Sequence, residues 1–280
     1  MFNRIVVDAD SLIYRCGFAA EDEPVSHACH NLKLQINSIK EVLGSDNIEL
    51  YIKGKGNFRT EIAVSSVYKG TRASRVPTHY PALRDYIINV QGAKEVDGME
   101  ADDRCSAILY EFQDKDSGVV LAAMDKDLWN TPGWHFNYDP RKWTTEYVTV
   151  AEADYNFLGQ LVTGDRSDNV PGLPGLSKAS VERLGIKGLT AGGIAETKAK
   201  RILSSLNTNQ ERLEEIWTLY QEYGKEAEWS EKDVQDYFVE QGRLLWMTRV
   251  MHADGSPVLW EPPAGLLSKR LRSGDTGSSS

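Results

Sequence analysis

The sequence predicts an α/β protein with a mostly parallel central sheet and flanking helices. Over residues 1–150, short apolar strand patterns alternate with helix patterns, and this order is typical of strands that pair in parallel. The strand patterns are Ile5–Asp8, Ile48–Ile52, Val119–Ala123, Trp134–Tyr138 and Glu146–Val150. A second observation is the change after residue 163, where a glycine- and proline-rich loop precedes a nearly all-helical pattern from Ser177 to Met251.

Helix patterns fill the connections between the strands, because apolar residues recur there at spacings of three and four. They cover residues 26–43, 81–89, 100–112 and 152–162. After the second strand, residues 53–80 are basic, rich in glycine and serine, and only weakly periodic. A connection of that length inside a compact domain is usually functional.

These changes of pattern divide the chain into three segments. We expect an α/β core at residues 1–163 that includes the basic segment 53–80, a helical subdomain at 164–265 and a disordered polar tail at 266–280. No stretch approaches the roughly 20 apolar residues that span a bilayer, and no signal-peptide pattern opens the chain. We therefore expect a cytoplasmic protein without a membrane partner. The oligomeric state stays open, with a monomer favoured.

The net charge of −9 is unevenly distributed. Residues 51–94 carry eight Lys or Arg against Glu61 and Asp85, a balance of +6, and residues 164–201 carry seven against four acids, a balance of +3. The rest of the chain therefore carries −18. Local patches rather than net charge meet phosphates, so the two basic regions are compatible with a nucleic-acid partner.

Four acidic windows stand at predicted strand ends and loop edges: Asp8-Ala9-Asp10, Glu100–Asp103, Asp125–Asp127 and Asp165–Asp168. Each window alone also fits a capped turn or a helix start. Gathered in space, like charges repel by roughly 4 kcal/mol per pair at about 4 Å, so such a cluster binds cations or keeps protons. Carboxylates without His or Cys partners suit Mg²⁺ or Mn²⁺, and two such ions about 4 Å apart can hydrolyse a phosphodiester.

The basic segment 53–80 contains the cluster Tyr68–Arg72. Lys69 offers a mobile charge to a phosphate, Arg72 can bind one with two hydrogen bonds, and Tyr68 can stack on a base. Arg59 and Arg75 are further candidates for DNA contact in the same segment.

The loop 164–180 (GDRSDNVPGLPGLSKAS) leads into a helix that starts near Ser177. Backbone N–H groups at a helix start bind anions, which suits a DNA phosphate, with Lys178 close by. We predict DNA contact at Gly172, Gly175, Ser177 and Lys178. A loop that contacts only the DNA backbone binds duplex without selecting its sequence.

These motifs together resemble the 5′ nuclease superfamily, which includes flap endonucleases, the 5′ nuclease domain of bacterial DNA polymerase I and tailed-bacteriophage 5′→3′ exonucleases. The matching segments, in the family's order, are IVVDADSLIYR, NFRTEIAVSSVYKGTR, EADD, MDKDL and GDRSDNVPGLPGLSKAS. The resemblance implies a PIN-like core, a helical arch over the active site, and a helix–hairpin–helix-like element that grips duplex DNA, with K⁺ bound there in many members. It also implies a metal-dependent 5′→3′ exonuclease or flap endonuclease of phage DNA replication or recombination, acting on duplex with a 5′ end or flap.

The resemblance further implies roles for single residues. The implied metal ligands, or residues beside them, are Asp8, Glu100, Asp102, Asp103, Asp125, Asp127, Asp165 and Asp168. Lys69 and Arg72 would steer and polarise the scissile phosphate, while the role of Asp10 stays open. One departure stands in YIKGKGNF, where the family usually has an aspartate and this chain has Lys53 and Lys55 instead.

Two other interpretations remain open from the sequence. The missing acid near Lys53 fits a DNA-binding protein of the same fold that has lost catalysis. The Asp8-Ala9-Asp10-Ser11 motif also resembles that of haloacid-dehalogenase-type phosphohydrolases, in which Asp8 would form an aspartyl-phosphate and Asp10 would act as acid and base.

Overall fold

The structure is a computed structural model that describes residues 2–71 and 75–269. Its chain divides into two compact units. The first unit comprises Met1–Phe58, Ala73–Ala153 and Met247–Val258, and the second comprises Arg59–Arg72, Asp154–Trp246 and Leu259–Ser280. Among the described residues, no helix is both long and apolar enough to span a membrane.

The first unit is built on a six-stranded sheet. Its strands are β1 (Arg4–Asp8), β2 (Ile48–Lys53), β3 (Lys94–Val96), β4 (Val119–Ala123), β5 (Gly133–Asn137) and β6 (Thr144–Val148). The order across the sheet is β3-β2-β1-β4-β5-β6, and all neighbours pair in parallel except β5 and β6. The predicted mostly parallel sheet is confirmed.

Ten α-helices follow in chain order among the described residues. They are α1 (Asp10–Ala19), α2 (Val25–Leu43), α3 (Phe58–Ile62), α4 (Tyr80–Asn89), α5 (Ala101–Glu111), α6 (Val150–Thr163), α7 (Lys178–Leu184), α8 (Glu196–Leu203), α9 (Asn209–Glu226) and α10 (Glu231–Leu245). A 3₁₀ turn at Lys126–Asn130 follows β4.

Helices cover both faces of the sheet because side chains alternate along each strand. Ile5 and Val7 of β1 pack with α1, α2 and α4, whereas Val6 packs with α5 on the other face. Strands β1 and β4 are buried almost along their whole length, as parallel strands covered on both faces must be. The carboxyl ends of β1, β2 and β4 consequently meet at one edge, where crevices form in such sheets.

The second unit is helical and has its own core. Tyr220, Phe238 and Trp217 are fully buried there, with their rings 4.9–5.1 Å apart in two neighbouring pairs. Helices α7 and α8 of this unit are joined by residues 185–195, and the helix–hairpin–helix-like element expected within 164–265 stays a prediction. Of the predicted arch at 53–80, the described residues contain α3 before α4 begins at Tyr80, and residues 72–74 lie outside the described part.

The two units depart from the predicted division at residue 163. The segment Arg59–Arg72 belongs to the helical unit, because Glu240 accepts the backbone N–H groups of Val64 and Ser65 at 2.6 and 2.7 Å. A disordered tail from residue 266 is wrong for its first four residues, since Leu266 is buried and the carbonyl of Lys269 accepts a hydrogen bond. The remainder of the predicted tail, 270–280, lies outside the described residues.

Candidate functional site

Two aspartates stand at the carboxyl end of β1 in the first unit, beside the end of the neighbouring strand β2. Asp8 is the last residue of β1, and Asp10 opens α1 directly after it. The Asp10 carboxylate accepts the backbone N–H of Lys53, the last residue of β2, at 3.0 Å. The Asp8 carboxylate accepts the N–H of Asp10 at 3.3 Å, and the carbonyl of Asp8 accepts the hydroxyl of Tyr138 at 2.8 Å. These bonds fix both carboxyl groups at the sheet edge.

Glu100 brings a third carboxyl group to this edge. It is the N-cap of α5, where its side chain and that of Asp103 form a reciprocal capping box. Its side chain is only 10% exposed, and its Oε1 lies 3.9 Å from the Nζ of Lys53. A lysine ammonium therefore stands beside the carboxylates.

The carboxyl groups act on each other electrostatically. Burial, followed by the charge of Asp10, raises the pKa of Asp8 to about 8, and Asp125 and Glu100 add to this rise. Burial also raises the pKa of Asp10, although the Lys53 N–H and the Arg84 charge oppose the rise. Such mutual repulsion is the property of a site that takes up protons or cations.

Asp125 and Asp127 follow β4 in the 3₁₀ turn. Asp125 is exposed and accepts the N–H of Asp127 at 2.9 Å, so it caps the turn as well as contributing charge to Asp8. Asp10, Glu100 and Asp125 thus lie near enough to act electrostatically on Asp8, and their role as metal ligands stays a prediction.

Asp103 does not fit the predicted role of metal ligand. It is fully buried, and its Oδ1 accepts the N–H and the hydroxyl of Thr248 at 3.2 and 2.8 Å. Its Oδ2 faces the N–H of Glu100 in the capping box. Asp102 is less buried and accepts the N–H of Asp103 at 2.7 Å. Asp103 is therefore better explained as an internal acceptor that stabilises the start of α5.

The oxygen-only donor set fits a hard divalent cation in its chemistry. The positions of the side chains do not yet form an ion site: across residues 2–71 and 75–269, no three His, Cys, Asp or Glu side chains form a group that could hold one ion. The carboxylates that would hold such a cation are those that act on Asp8 at this edge of the sheet, namely Asp10, Glu100 and Asp125, together with Asp8 itself. The Lys53 ammonium stands 3.9 Å from Glu100 Oε1 beside these carboxylates.

In the second unit, Asp168 holds the segment that carries Lys69. Its Oδ2 accepts the hydroxyl of Tyr68 at 2.7 Å and lies 3.7 Å from the Lys69 ammonium, while its carbonyl accepts the N–H of Lys69 at 2.8 Å. Asp165 accepts the N–H and hydroxyl of Ser167 at 2.7 and 2.6 Å and so closes a turn. Both predicted ligands thus have structural partners that order this loop.

Two basic-segment predictions fail because the side chains are buried. Arg59 is 2% exposed and donates to the carbonyls of Leu244 and Trp246 at 2.9 and 2.8 Å, so it is not available to DNA. Tyr68 lies in the core of the second unit, which excludes stacking on a base in this conformation.

The other basic residues differ in what the structure shows. In the first unit, Arg75 is exposed and paired with Glu21 at 2.7 Å. Arg72 lies outside the described residues. Lys69 stays accessible, with about a fifth of its side chain exposed. Lys69 is therefore the described residue of the Tyr68–Arg72 cluster that best fits phosphate contact.

The glycine loop is held by packing rather than open to a ligand. Gly172 has φ +67, and a Cβ there would lie 2.2 Å from the Gly164 nitrogen, so only glycine fits. Its N–H donates to Gln241 and its carbonyl accepts the Tyr237 hydroxyl, both at 2.9 Å. The predicted contact of Gly172 with phosphate is wrong in this conformation, because both backbone groups are engaged. Gly175 is equally constrained, as a Cβ would lie 2.6 Å from the backbone of residue 192.

An acid occupies the predicted phosphate position at the start of α7. The N–H of Ser177 donates to both carboxylate oxygens of Glu226, at 2.9 and 3.1 Å. Although burial opposes the shift, hydrogen bonds from Ser177 and Ser180 lower the pKa of Glu226. Lys178 is exposed and pairs with Glu182 one turn along the helix. The N–H of Ser177 is therefore engaged by Glu226 and is not available to a phosphate, whereas the exposed ammonium of Lys178 is.

Several residues of these sites escaped the sequence analysis. Tyr138, Thr248 and Glu226 act through partners more than 45 positions away along the chain, and no local pattern indicates such contacts. Asp10 was visible as the second acid of the first window, and its contact with Lys53 depends on the pairing of β1 with β2.

No family model matches the chain. It is 24% identical to DNA polymerase I of Bacillus caldotenax over 234 residues, which is 74% of this chain and 26% of the polymerase. It is 27% identical to thermostable DNA polymerase I of Thermus aquaticus over 212 residues, covering 64% of this chain and 23% of that protein. A 5′-3′ exonuclease of Buchnera aphidicola is 26% identical over 190 residues, 61% of this chain and 65% of the exonuclease. The predicted resemblance is thereby confirmed, and the chain spans about a quarter of the polymerases' length.

Solved structures with a similar fold include a T5 5′-exonuclease with divalent zinc ions bound (TM-score 0.48, 17% identity, 88% of this chain and 99% of that one). The catalytic core of Rad2 in complex with DNA is another (TM-score 0.45, 15% identity, 94% and 84%).

Proposed function

We propose that this chain is a divalent-metal-dependent 5′→3′ nuclease that hydrolyses DNA phosphodiester bonds in the cytoplasm. The observation that carries the proposal is the gathering of Asp8, Asp10 and Glu100 at the carboxyl ends of parallel strands, where burial and the neighbouring acids raise the pKa of Asp8. A fold keeps such repulsion where a cation relieves it. The similarity to a protein named 5′-3′ exonuclease supports the same reaction class.

We assign the cation, Mg²⁺ or Mn²⁺, to the carboxylates of Asp8, Asp10, Glu100 and Asp125. Asp102 and Asp127 lie two positions from Glu100 and Asp125 in the chain and would stand beside the ion as further acceptors. A bound divalent ion supplies positive charge to the phosphate and acidifies a water for in-line attack. The contribution of the chain is to hold the carboxylates in place through the Lys53 N–H, the start of α5 and the 3₁₀ turn.

We propose duplex DNA with a 5′ end or flap as the substrate. Lys69 and Arg72 are assigned to phosphate contacts, and Lys178 and Arg75 are exposed cations suited to the DNA backbone. Asp165 and Asp168 are assigned to ordering the loop that positions Lys69. K⁺ in the glycine loop stays a prediction, and it requires carbonyls other than that of Gly172.

The test is cleavage of 5′-labelled blunt and flapped duplexes with Mg²⁺, and with EDTA as control. We expect Mg²⁺-dependent release of 5′ products, and a loss of at least about 100-fold in Asp8→Asn, which exceeds the usual effect of an outer-shell partner. Asp116→Asn is the matched control, because Asp116 is exposed and precedes β4 at the opposite, amino edge of the sheet. Equal cleavage rates in the two variants would show that the carboxylate cluster takes no part in the reaction.

A second candidate function is DNA binding without cleavage. It is favoured by the contact between Lys53 and Glu100, because an ammonium beside the acids competes with a divalent ion. In the same experiment, retention of the duplex in a gel shift without any Mg²⁺-dependent product would establish this alternative.

A further inference from the structure

The end of β2 is held rigidly against the acid cluster. The N–H of Lys53 donates to Asp10 at 3.0 Å, and its carbonyl accepts the Arg84 guanidinium at 2.9 Å. In the same stretch of sheet, Tyr51 of β2 is in register with Asp8 of β1. The backbone of Lys53 is thus fixed on both sides at the edge where the carboxylates gather.

The side chain of Lys53 extends from this fixed point to the acids. Its ammonium lies 3.9 Å from Glu100 Oε1, and its charge also acts on Asp10, where it favours the ionised carboxylate. Arg84 acts on Asp10 as well, but its guanidinium binds the Lys53 carbonyl and Glu95. Lys53 is therefore a cation on a long flexible stem directed at Glu100.

We propose that the Lys53 ammonium is a built-in cation that takes the place of one divalent ion in this cluster. On this basis the cluster accepts a single Mg²⁺ or Mn²⁺, rather than the two that the acidic windows predict. The inference rests on the proposed function for its premise that the carboxylates bind divalent ions.

Removing this charge strengthens divalent-ion binding. A divalent ion among the same carboxylates stands within a few ångströms of the ammonium, and the two repel. Because the Lys53 side chain is 42% exposed, water screens the repulsion, and we expect a gain of roughly tenfold in affinity rather than several orders of magnitude. The exposed side chain also means that its replacement leaves no internal cavity.

The experiment is a Mn²⁺ titration of the full chain, with free Mn²⁺ measured by electron paramagnetic resonance. Lys53→Gln and Lys53→Met should bind a second ion, or bind the first roughly tenfold more tightly, while Lys53→Arg keeps the charge and should match the wild type. Lys55→Gln is the matched control, because Lys55 is exposed, lies two residues away and removes the same charge. A circular-dichroism melt of each variant verifies that it is folded.

Coinciding isotherms for the wild type and both neutral Lys53 variants would overturn the inference. Equal tightening in Lys55→Gln would also overturn it, because the effect would then be general charge. A loss of DNA affinity in Lys53→Gln with unchanged Mn²⁺ binding would assign Lys53 to phosphate contact instead.

Cleavage by the wild type separates this inference from the proposed function. If the wild type cuts duplex with Mg²⁺ while the isotherms coincide, the function stands and the role of Lys53 falls. If no variant binds Mn²⁺ and none cleaves DNA, both fall together.

Discussion

Neutralising Asp8 should change how the stability of the chain depends on pH. Burial and the charge of Asp10 raise the pKa of Asp8 from 3.8 to about 8 in the folded chain. Between pH 3.8 and about pH 8 the folded state keeps a proton that the unfolded chain releases. The stability that this proton contributes is therefore fully present below pH 3.8 and is lost as the pH rises towards about 8.

The size of the effect follows from the width of this window. Each pH unit inside it lowers the free energy of unfolding by about 1.4 kcal/mol, so a rise from about pH 5 to about pH 7 removes roughly 2.7 kcal/mol. The Asp8→Asn side chain does not titrate, so the free energy of unfolding of this variant should not fall with pH through this group. At about pH 7 the variant should therefore be more stable than the wild type by up to roughly 4 kcal/mol.

The assay is urea denaturation followed by tryptophan fluorescence at a series of pH values, with EDTA present. A divalent ion favours the ionised carboxylate, so adding Mg²⁺ should stabilise the wild type and leave Asp8→Asn nearly unchanged. Parallel pH profiles for the two proteins in EDTA would refute the reasoning, because Asp8 would then titrate as an ordinary surface carboxyl group.

Three further changes test separate parts of the account. Lys69→Ala should weaken duplex binding by roughly tenfold and reduce the salt slope by about one, measured by fluorescence anisotropy across salt concentrations. Asp103→Ala should lower the free energy of unfolding by about 1–3 kcal/mol in a denaturant melt, with or without Mg²⁺, because Thr248 loses a buried acceptor. Glu226→Gln should increase DNA affinity in a gel shift, since a neutral amide replaces the acid that faces Ser177; an unchanged or lower affinity would contradict this.

The sequence was informative where chemistry follows a strand. The runs at Ile5–Asp8 and Val119–Ala123 predicted two central parallel strands, and their position placed Asp8 and Asp125 at one edge of the sheet. Strand β3 escaped because three residues carry no periodicity. Helix α1 escaped because its pattern starts inside the first acidic window.

The roles of single side chains were harder to predict because they depend on distant partners. Arg59 resembles a DNA-binding cation in the sequence. In the structure it is buried and donates to carbonyl groups about 185 positions away along the chain. Asp103 and Asp102 look equivalent in the sequence, and only the contact of Asp103 with the distant Thr248 distinguishes them. The position of Lys53 could be noted as a departure, whereas its contact with Glu100 required the sheet register and the start of α5.

The most direct test of the central claim is the anomalous scattering of Mn²⁺ in a crystal of the wild-type chain at saturating ion concentration. We expect an ion with oxygen atoms of Asp8 and of Glu100 or Asp125 within roughly 2.5 Å. Absence of a peak at this edge of the sheet, with each carboxylate held only by protein partners, would contradict the claim that these acids converge to bind a catalytic cation.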